Sequence, residues 1–229
     1  MELLWDFCKS SILDCRRQRG NNMTTVYFVR HAQTDYSNPI DAERVLTEEG
    51  LQTRYRARDF LLEKHLPREQ VHIYSSNFRR AVDTVRPYAD ALDLPVIECD
   101  AFREWSVIAP AEEYYHACEL AWENFDYRYG SCETLHEVQT RNIEKLMELL
   151  KQHDGDTIVI GSHGTALSTV IRYFHPAYDY EDVKRIMDIK PWIVQFEFEG
   201  LKFVRYEEVF PADSIFFIEN SSKMLYDIG

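Results

Sequence analysis

The chain has 229 residues, 45% of them hydrophobic and 14% aromatic, which suits one substantial core and excludes a disordered segment as the main content. Its formal net charge of −13 at pH 7 argues against nonspecific binding to nucleic acid or to an anionic membrane, so any anion site must be a local basic pocket in an acidic protein. The five cysteines (Cys8, Cys15, Cys99, Cys118 and Cys132) are odd in number and contain no CxxC pair, and no apolar run is long enough to span a bilayer; both features suit a reduced, cytoplasmic protein.

Residues 1–22 read as an N-terminal extension. Their basic cluster (Arg16, Arg17, Arg19) follows the apolar part, the wrong order for a secretory signal, and an amphipathic helix is the alternative. Residues 23–229 read as a single α/β domain. Thr25 to Val29 form a short apolar run rich in β-branched and aromatic residues, a buried strand that stops abruptly on Arg30 and His31. After a polar loop, Thr47 can cap a helix carrying Glu48 and Glu49 in its first turn, with Leu46 and Leu51 at hydrophobic-staple spacing; it should run to about His65, before Pro67.

Val71 to Ser75 is a second strand. Ser75, Ser76 and Asn77 are cap candidates for a helix through about Ala91, with Arg80 in its first turn. Pro95 to Glu98 is a possible third strand, followed by Glu104 in a loop. Pro110 to Phe125 is aromatic, acidic and helical in pattern. Thr134 and Glu137 form a capping box that opens a long amphipathic helix to about Gln152. Asp156 to Gly161 is the strongest later strand; it breaks into Ser162-His163-Gly164 and a new helix from Ala166 to Tyr173. Trp192 to Glu199 and Lys202 to Glu208 alternate around Glu199-Gly200 as an antiparallel hairpin at a sheet edge, where Trp192 could pair with a second copy in a homo-oligomer. Strands alternating with helices point to a three-layer α/β/α sandwich with a mostly parallel central sheet and an antiparallel edge.

Two buried-type strands therefore end on histidines, His31 and His163. If they are parallel neighbours, both imidazoles share one rim with Arg30, and Arg80 and Glu104 follow other strands close to it. The residues also match a family. Arg30 to Thr34 resembles the Arg-His-Gly motif of the histidine phosphatase (phosphoglycerate-mutase-like) superfamily. So, in the same order, do Leu46 to Gly50, Tyr74 to Ala81, Arg103-Glu104-Trp105, Cys132-Glu133-Thr134 with Arg141, and Ser162 to Ala166. The departures are Ala32 where the motif has Gly, Gln33 where Glu is frequent, and Ser37 or Asn38 where an Asn is usual.

The resemblance implies a phosphomonoester hydrolase with His31 as the phosphorylated nucleophile. It also implies Arg30, Arg80 and His163 on the phosphoryl oxygens, and Glu104 as proton donor to the leaving group. Thr34, Ser37 or Asn38, and Gly164 are candidate phosphate contacts. Residue chemistry agrees. A neutral imidazole attacks, rigid guanidinium forks hold two oxygens at once, and a protonated His163 could add the charge that a metal supplies elsewhere. A carboxyl raised in pKa by Phe102 and Trp105 would serve as Glu104's acid form. Rivals remain: Arg79 for Arg80, and Glu98, Asp100, Glu112 or Glu113 for Glu104.

No cofactor is expected, and none of the remaining histidines (His65, His72, His116, His136, His153, His175) shows metal-ligand spacing. Residues 105–132 read as a small helical cap insertion containing five acids (Glu112, Glu113, Glu119, Glu123, Asp126) and one arginine, Arg128. That balance disfavours a strongly anionic substrate tail and favours hydrolysis of a small neutral, cationic or aromatic phosphomonoester over phosphoglycerate-mutase-type transfer. A catalytically retired phospho-ligand-binding module is the alternative from another class.

Overall fold

The structure, a computed structural model, describes residues 23–211 and 217–219; the N-terminal extension lies outside the described residues. One seven-stranded sheet organises it. The strands are β1 (Met23–Arg30), β2 (Val71–Ser75), β3 (Ile97–Glu98), β4 (Thr157–Ser162), β5 (Trp192–Glu199), β6 (Lys202–Phe210) and β7 (Phe217–Glu219), in the order β3-β2-β4-β1-β5-β6-β7. The first four run parallel, and β5, β6 and β7 are antiparallel.

Among the described residues six α-helices flank the sheet: α1 (Glu48–Leu62), α2 (Arg79–Leu92), α3 (Ala111–Glu123), α4 (Leu135–Gln152), α5 (Gly164–Phe174) and α6 (Tyr180–Ile186). Alternate residues of β1 explain the three layers. Val26 and Phe28 pack with α4 and α5 through Leu146, Leu150, Ala166 and Val170. Tyr27 and Val29 pack with α1 and α2 through Ala57, Leu61, Val85 and Tyr88. A strand covered on both faces has no use for polar alternation, so β1 reads as a continuous apolar run.

Local signals mostly act where they stand. The Thr47 side chain accepts from the Gly50 N–H, and the Thr134–Glu137 capping box is complete. Gly50 is needed for space: a Cβ there would strike the Gln33 backbone, and this close approach packs the start of α1 on the loop after His31.

Four expectations change. α1 ends at Leu62, and the staple does not form because Leu46 is buried while Leu51 is exposed. The start of α2 takes no side-chain cap, since Ser76 is engaged with His163 and with the Phe78 N–H. The hairpin lies on the antiparallel side of the sheet, as expected, but β5 is internal between β1 and β6, Trp192 is fully buried, and β7 pairs with Arg205 to Glu207 of β6. Trp192 therefore offers no free strand to another chain. Helix α6 has a capping box, Asp179 with Asp182, that the sequence reading passed over.

Candidate active site

The parallel register sets Arg30 opposite Ser162, so β1 and β4 end side by side and deliver His31 and His163 to one rim. Their rings meet edge to face, 5.3 Å between centroids. His31 Nδ1 lies 2.8 Å from the Ala32 carbonyl and 2.9 Å from Thr34 Oγ1, and the Thr34 hydroxyl donates to the same carbonyl. A carbonyl can only accept, so Nδ1 carries the proton and Nε2 keeps its lone pair. Burial first, then the charges of Arg80 and Arg30, hold the His31 pKa well below its usual value. The ring is neutral.

His163 is fully buried, receives or donates a 2.8 Å bond at Nε2 with Ser76 Oγ, and has no partner at Nδ1 among the described residues. Burial and Arg80 depress its pKa as well, so in this geometry it is neutral rather than a source of positive charge. Arg30 and Arg80 frame His31. Arg30 donates to the main-chain carbonyls of Ile186 (2.5 Å), Met187 (3.1 Å) and Ile189 (3.3 Å), just after α6. A Cβ on Gly164 would come within 3.1 Å of its guanidinium, so the glycine lets Arg30 lie flat against the start of α5. Arg80 donates to the Asp41 carbonyl (2.6 Å) and carboxylate (3.2 Å). Thr84 ties Arg80 to β1: its hydroxyl donates to the Arg80 carbonyl and accepts from the Ala32 N–H.

Glu104 accepts from the backbone N–H groups of Trp105 (2.9 Å), Thr165 (3.2 Å) and Ala166 (2.9 Å). Its carboxylate thus rests on the N-terminus of α5, a favourable place for negative charge. This differs from the expected apolar pocket: Phe102 is in the core against Phe28, and the Trp105 indole N–H donates to the Glu133 carbonyl. Arg141 sets the loop behind it by donating to the carbonyls of Ala101 (2.7 Å), Arg103 (2.8 Å) and Glu104 (3.1 Å) while paired with Glu133. The rivals Arg79, Glu98, Asp100, Glu112 and Glu113 do not line the cleft; Glu104 and Arg80 do.

A cleft of about 800 Å³ opens above this floor. Gly164 lines it; His163, Thr34, Ser37 and Asn38 do not. Thr34 is buried behind His31. The Ser37 N–H is bonded to Asp35, and the Asn38 side chain accepts from the Ile40 N–H. Ala32 is buried and its methyl stays off the cleft surface. None of the five cap acids lines the cleft. The cap presents Trp105, Tyr114, Tyr115, Cys118 and Trp122 instead, while Glu112, Glu113, Glu119, Glu123 and Asp126 are exposed. The argument from cap charge to substrate charge therefore falls.

Sequence reasoning missed Asp41, Arg44 and Lys190, which join the cleft from loops with no strand-end signal. It also missed a cluster at the opposite ends of the strands, where ligand-type atoms of His72, His153 and Asp156 lie within 4.8 Å of one another, from positions far apart in the chain.

Residues 26–205 match the family model described as "Histidine phosphatase superfamily (branch 1)". The chain belongs to this superfamily. Among relatives of the histidine phosphatases, it is 26% identical over 162 residues to a 6-phosphofructo-2-kinase/fructose-2,6-bisphosphatase of Caenorhabditis elegans, a match covering 66% of this chain and only 34% of that protein. It is 24% identical over 167 residues to a metal-independent phosphoserine phosphatase of Arabidopsis thaliana, covering 66% and 68%. Two solved histidine-phosphatase-like structures share the fold. Bacillus stearothermophilus YhfR has a TM-score of 0.61, 23% identity and coverage of 79% of this chain and 94% of its own. A mutant phosphoserine phosphatase of Entamoeba histolytica, in complex with phosphoserine, has a TM-score of 0.62, 20% identity and coverage of 79% and 94%. No helix among the described residues is long and apolar enough to cross a membrane.

Proposed function

We propose that the chain is a phosphomonoester hydrolase that works through a phosphohistidine on His31. The observation that carries this reading is the state of His31: neutral, with Nδ1 fixed by Ala32 and Thr34, set between two buried guanidinium groups. Nε2 attacks phosphorus and the bond to the leaving oxygen breaks, with in-line geometry and charge stabilisation supplied by the site. Arg80 and Arg30 offset the charge on the phosphoryl oxygens. His163, whose Nδ1 is unpartnered, adds a hydrogen bond from behind. Glu104, facing the cleft from the start of α5, takes up a proton as the anionic ester enters beside it and passes that proton to the leaving alkoxide. It then takes a proton from the water that splits the phosphohistidine and releases inorganic phosphate, and no metal enters the scheme.

The relatives named for phosphoserine and fructose-2,6-bisphosphate support a small-molecule phosphate as substrate. The aromatic walls from Tyr36, Tyr114, Tyr115, Trp122 and Tyr180 favour a leaving group with a flat or apolar body. The test is hydrolysis of phenyl phosphate set beside 3-phosphoglycerate isomerisation. Release of phosphate without isomerisation is expected. Isomerisation with little hydrolysis would make the chain a mutase, and phosphate binding without either reaction would make it a binding module.

A further inference from the structure

The cleft holds four cationic side chains, and three are committed. Arg30 donates through its two terminal nitrogens to the carbonyls of Ile186, Met187 and Ile189, although its Nε, like that of Arg80, has no partner among the described residues. Arg80 is bonded to Asp41. Arg44 is paired with Asp41 at 2.6 Å, donates to the Asn38 carbonyl and lies over the Tyr36 ring. Lys190 is different. It lines the same cleft and is half-buried, yet among the described residues it makes no hydrogen bond and no ion pair; its ammonium lies 5.9 Å from the centre of the Tyr36 ring. Burial, then Arg30, pushes its pKa down, with Asp188 acting the other way, so the ammonium is partly stripped of water beside another cation. Its charge also reaches His31, where it adds to the charges favouring the neutral ring.

The position is fixed rather than incidental. The three carbonyls that Arg30 grips belong to the turn that leads into Lys190, so the guanidinium beside the nucleophile also anchors the segment carrying the lysine. A partly desolvated cation without a counter-ion costs stability, and it does so at the mouth of a site built for anions. Lysine's flexible stem can carry its point charge to an oxygen that the planar forks of Arg30 and Arg80 do not reach.

We propose that Lys190 is an anion-binding residue of the cleft, meeting a substrate oxyanion either on the phosphoryl group itself or on a second acidic group, such as a carboxylate, carried by the leaving part. The assignment rests on the phosphatase reading above and adds to it the ligand chemistry of the cleft's uncommitted cation.

The experiment compares wild type, Lys190→Met and Lys190→Arg on phenyl phosphate and 4-carboxyphenyl phosphate, with inorganic phosphate binding measured by calorimetry. Loss of one hydrogen bond to a charged group predicts a roughly 10- to 100-fold drop in kcat/KM for Lys190→Met, partly restored by Lys190→Arg. Its melting temperature should stay level or rise, because an unpaired cation has been removed; a merely structural lysine would lower it. Equal losses on both esters, with weaker phosphate binding, place Lys190 on the phosphoryl group. A loss confined to the carboxylated ester places it on the second acid. Changes below twofold on both esters and in phosphate affinity overturn the proposal while leaving the hydrolase intact. If wild type turns over neither ester, the hydrolase reading fails, and phosphate affinity alone decides: weaker binding in Lys190→Met supports the assignment and unchanged binding rejects it.

Discussion

The floor and the roof of the cleft are built by different means. On the floor, Arg30, His31 and Arg80, with His163 packed behind His31, sit at strand ends or a first helical turn, and none exceeds 7% exposure. Each is held by a backbone or hydroxyl partner at fixed distance, and those partners are held in turn, as Thr84 and Arg141 show. On the roof, Ile108 is 83% exposed and Tyr115 is 62% exposed, and several walls come from one helix of the cap. On the proposed function, the floor would set the reaction and the roof the contact area for the leaving group. A change on the floor should therefore act on turnover, and a change on the roof on substrate choice and KM.

Substitutions can break that contrast. His31→Ala should lower turnover by about 10⁴-fold or more, the scale for removing an enzymatic nucleophile, while circular dichroism and the melting transition stay native-like. Glu104→Gln should cost about 10²–10⁴-fold on alkyl phosphates and far less on activated aryl phosphates, whose leaving groups need no proton. An equal loss on both, read from kcat across a leaving-group series, would assign Glu104 a positioning role at the start of α5. Gly164→Ala places a methyl about 3.1 Å from the Arg30 guanidinium, and should lower kcat by roughly 10- to 100-fold through displacement of a floor group. On the roof, Tyr115→Ala should shift kcat/KM for aryl phosphates by only about 2- to 5-fold, mainly in KM. A larger effect on kcat would erase the distinction.

The floor also predicts a pH dependence of stability. His31 and His163 both have native pKa values held well below 6.5 by burial and Arg80. The unfolded chain therefore binds protons below about pH 6.5 that the native chain refuses, so stability is present above that pH and is lost as pH falls toward the native values. The slope approaches about 1.4 kcal/mol per pH unit for each such histidine. Denaturant midpoints measured from pH 7.5 downward should fall in wild type and fall less steeply in His31→Ala. Parallel curves would mean that the ring is not held neutral.

The same contrast separates what could be read in the sequence from what could not. The floor was legible because each residue stands at a local event, an apolar run ending on Arg30-His31 or β4 breaking into His163-Gly164, and parallel pairing does the rest. The roof was not. The composition of residues 105–132 is acidic, but α3 keeps its acids off the cleft while Tyr114, Tyr115 and Trp122 line it, and a charge count carries no information about facing. Asp41 meets the site through its bond with Arg80, and Lys190 through the grip of Arg30 on the carbonyls that precede it, neither of which a local pattern announces. The late hairpin is on the antiparallel side of the sheet as read, but its outer partner β7 was not legible: alternation describes a strand's faces, not its neighbours, and β7 lies beyond a break in the described chain. Ser76 shows one residue read for the wrong task, since its hydroxyl serves His163 where a helix cap was expected.

The central claim is covalent chemistry at His31, and rapid alkaline quench of the enzyme with substrate, followed by peptide mass spectrometry, tests it most directly. A phosphoryl adduct on His31 that forms within one turnover, decays with phosphate release and vanishes in His31→Ala is the predicted result. Steady turnover with no adduct on His31, or an adduct carried by another residue, would contradict the account.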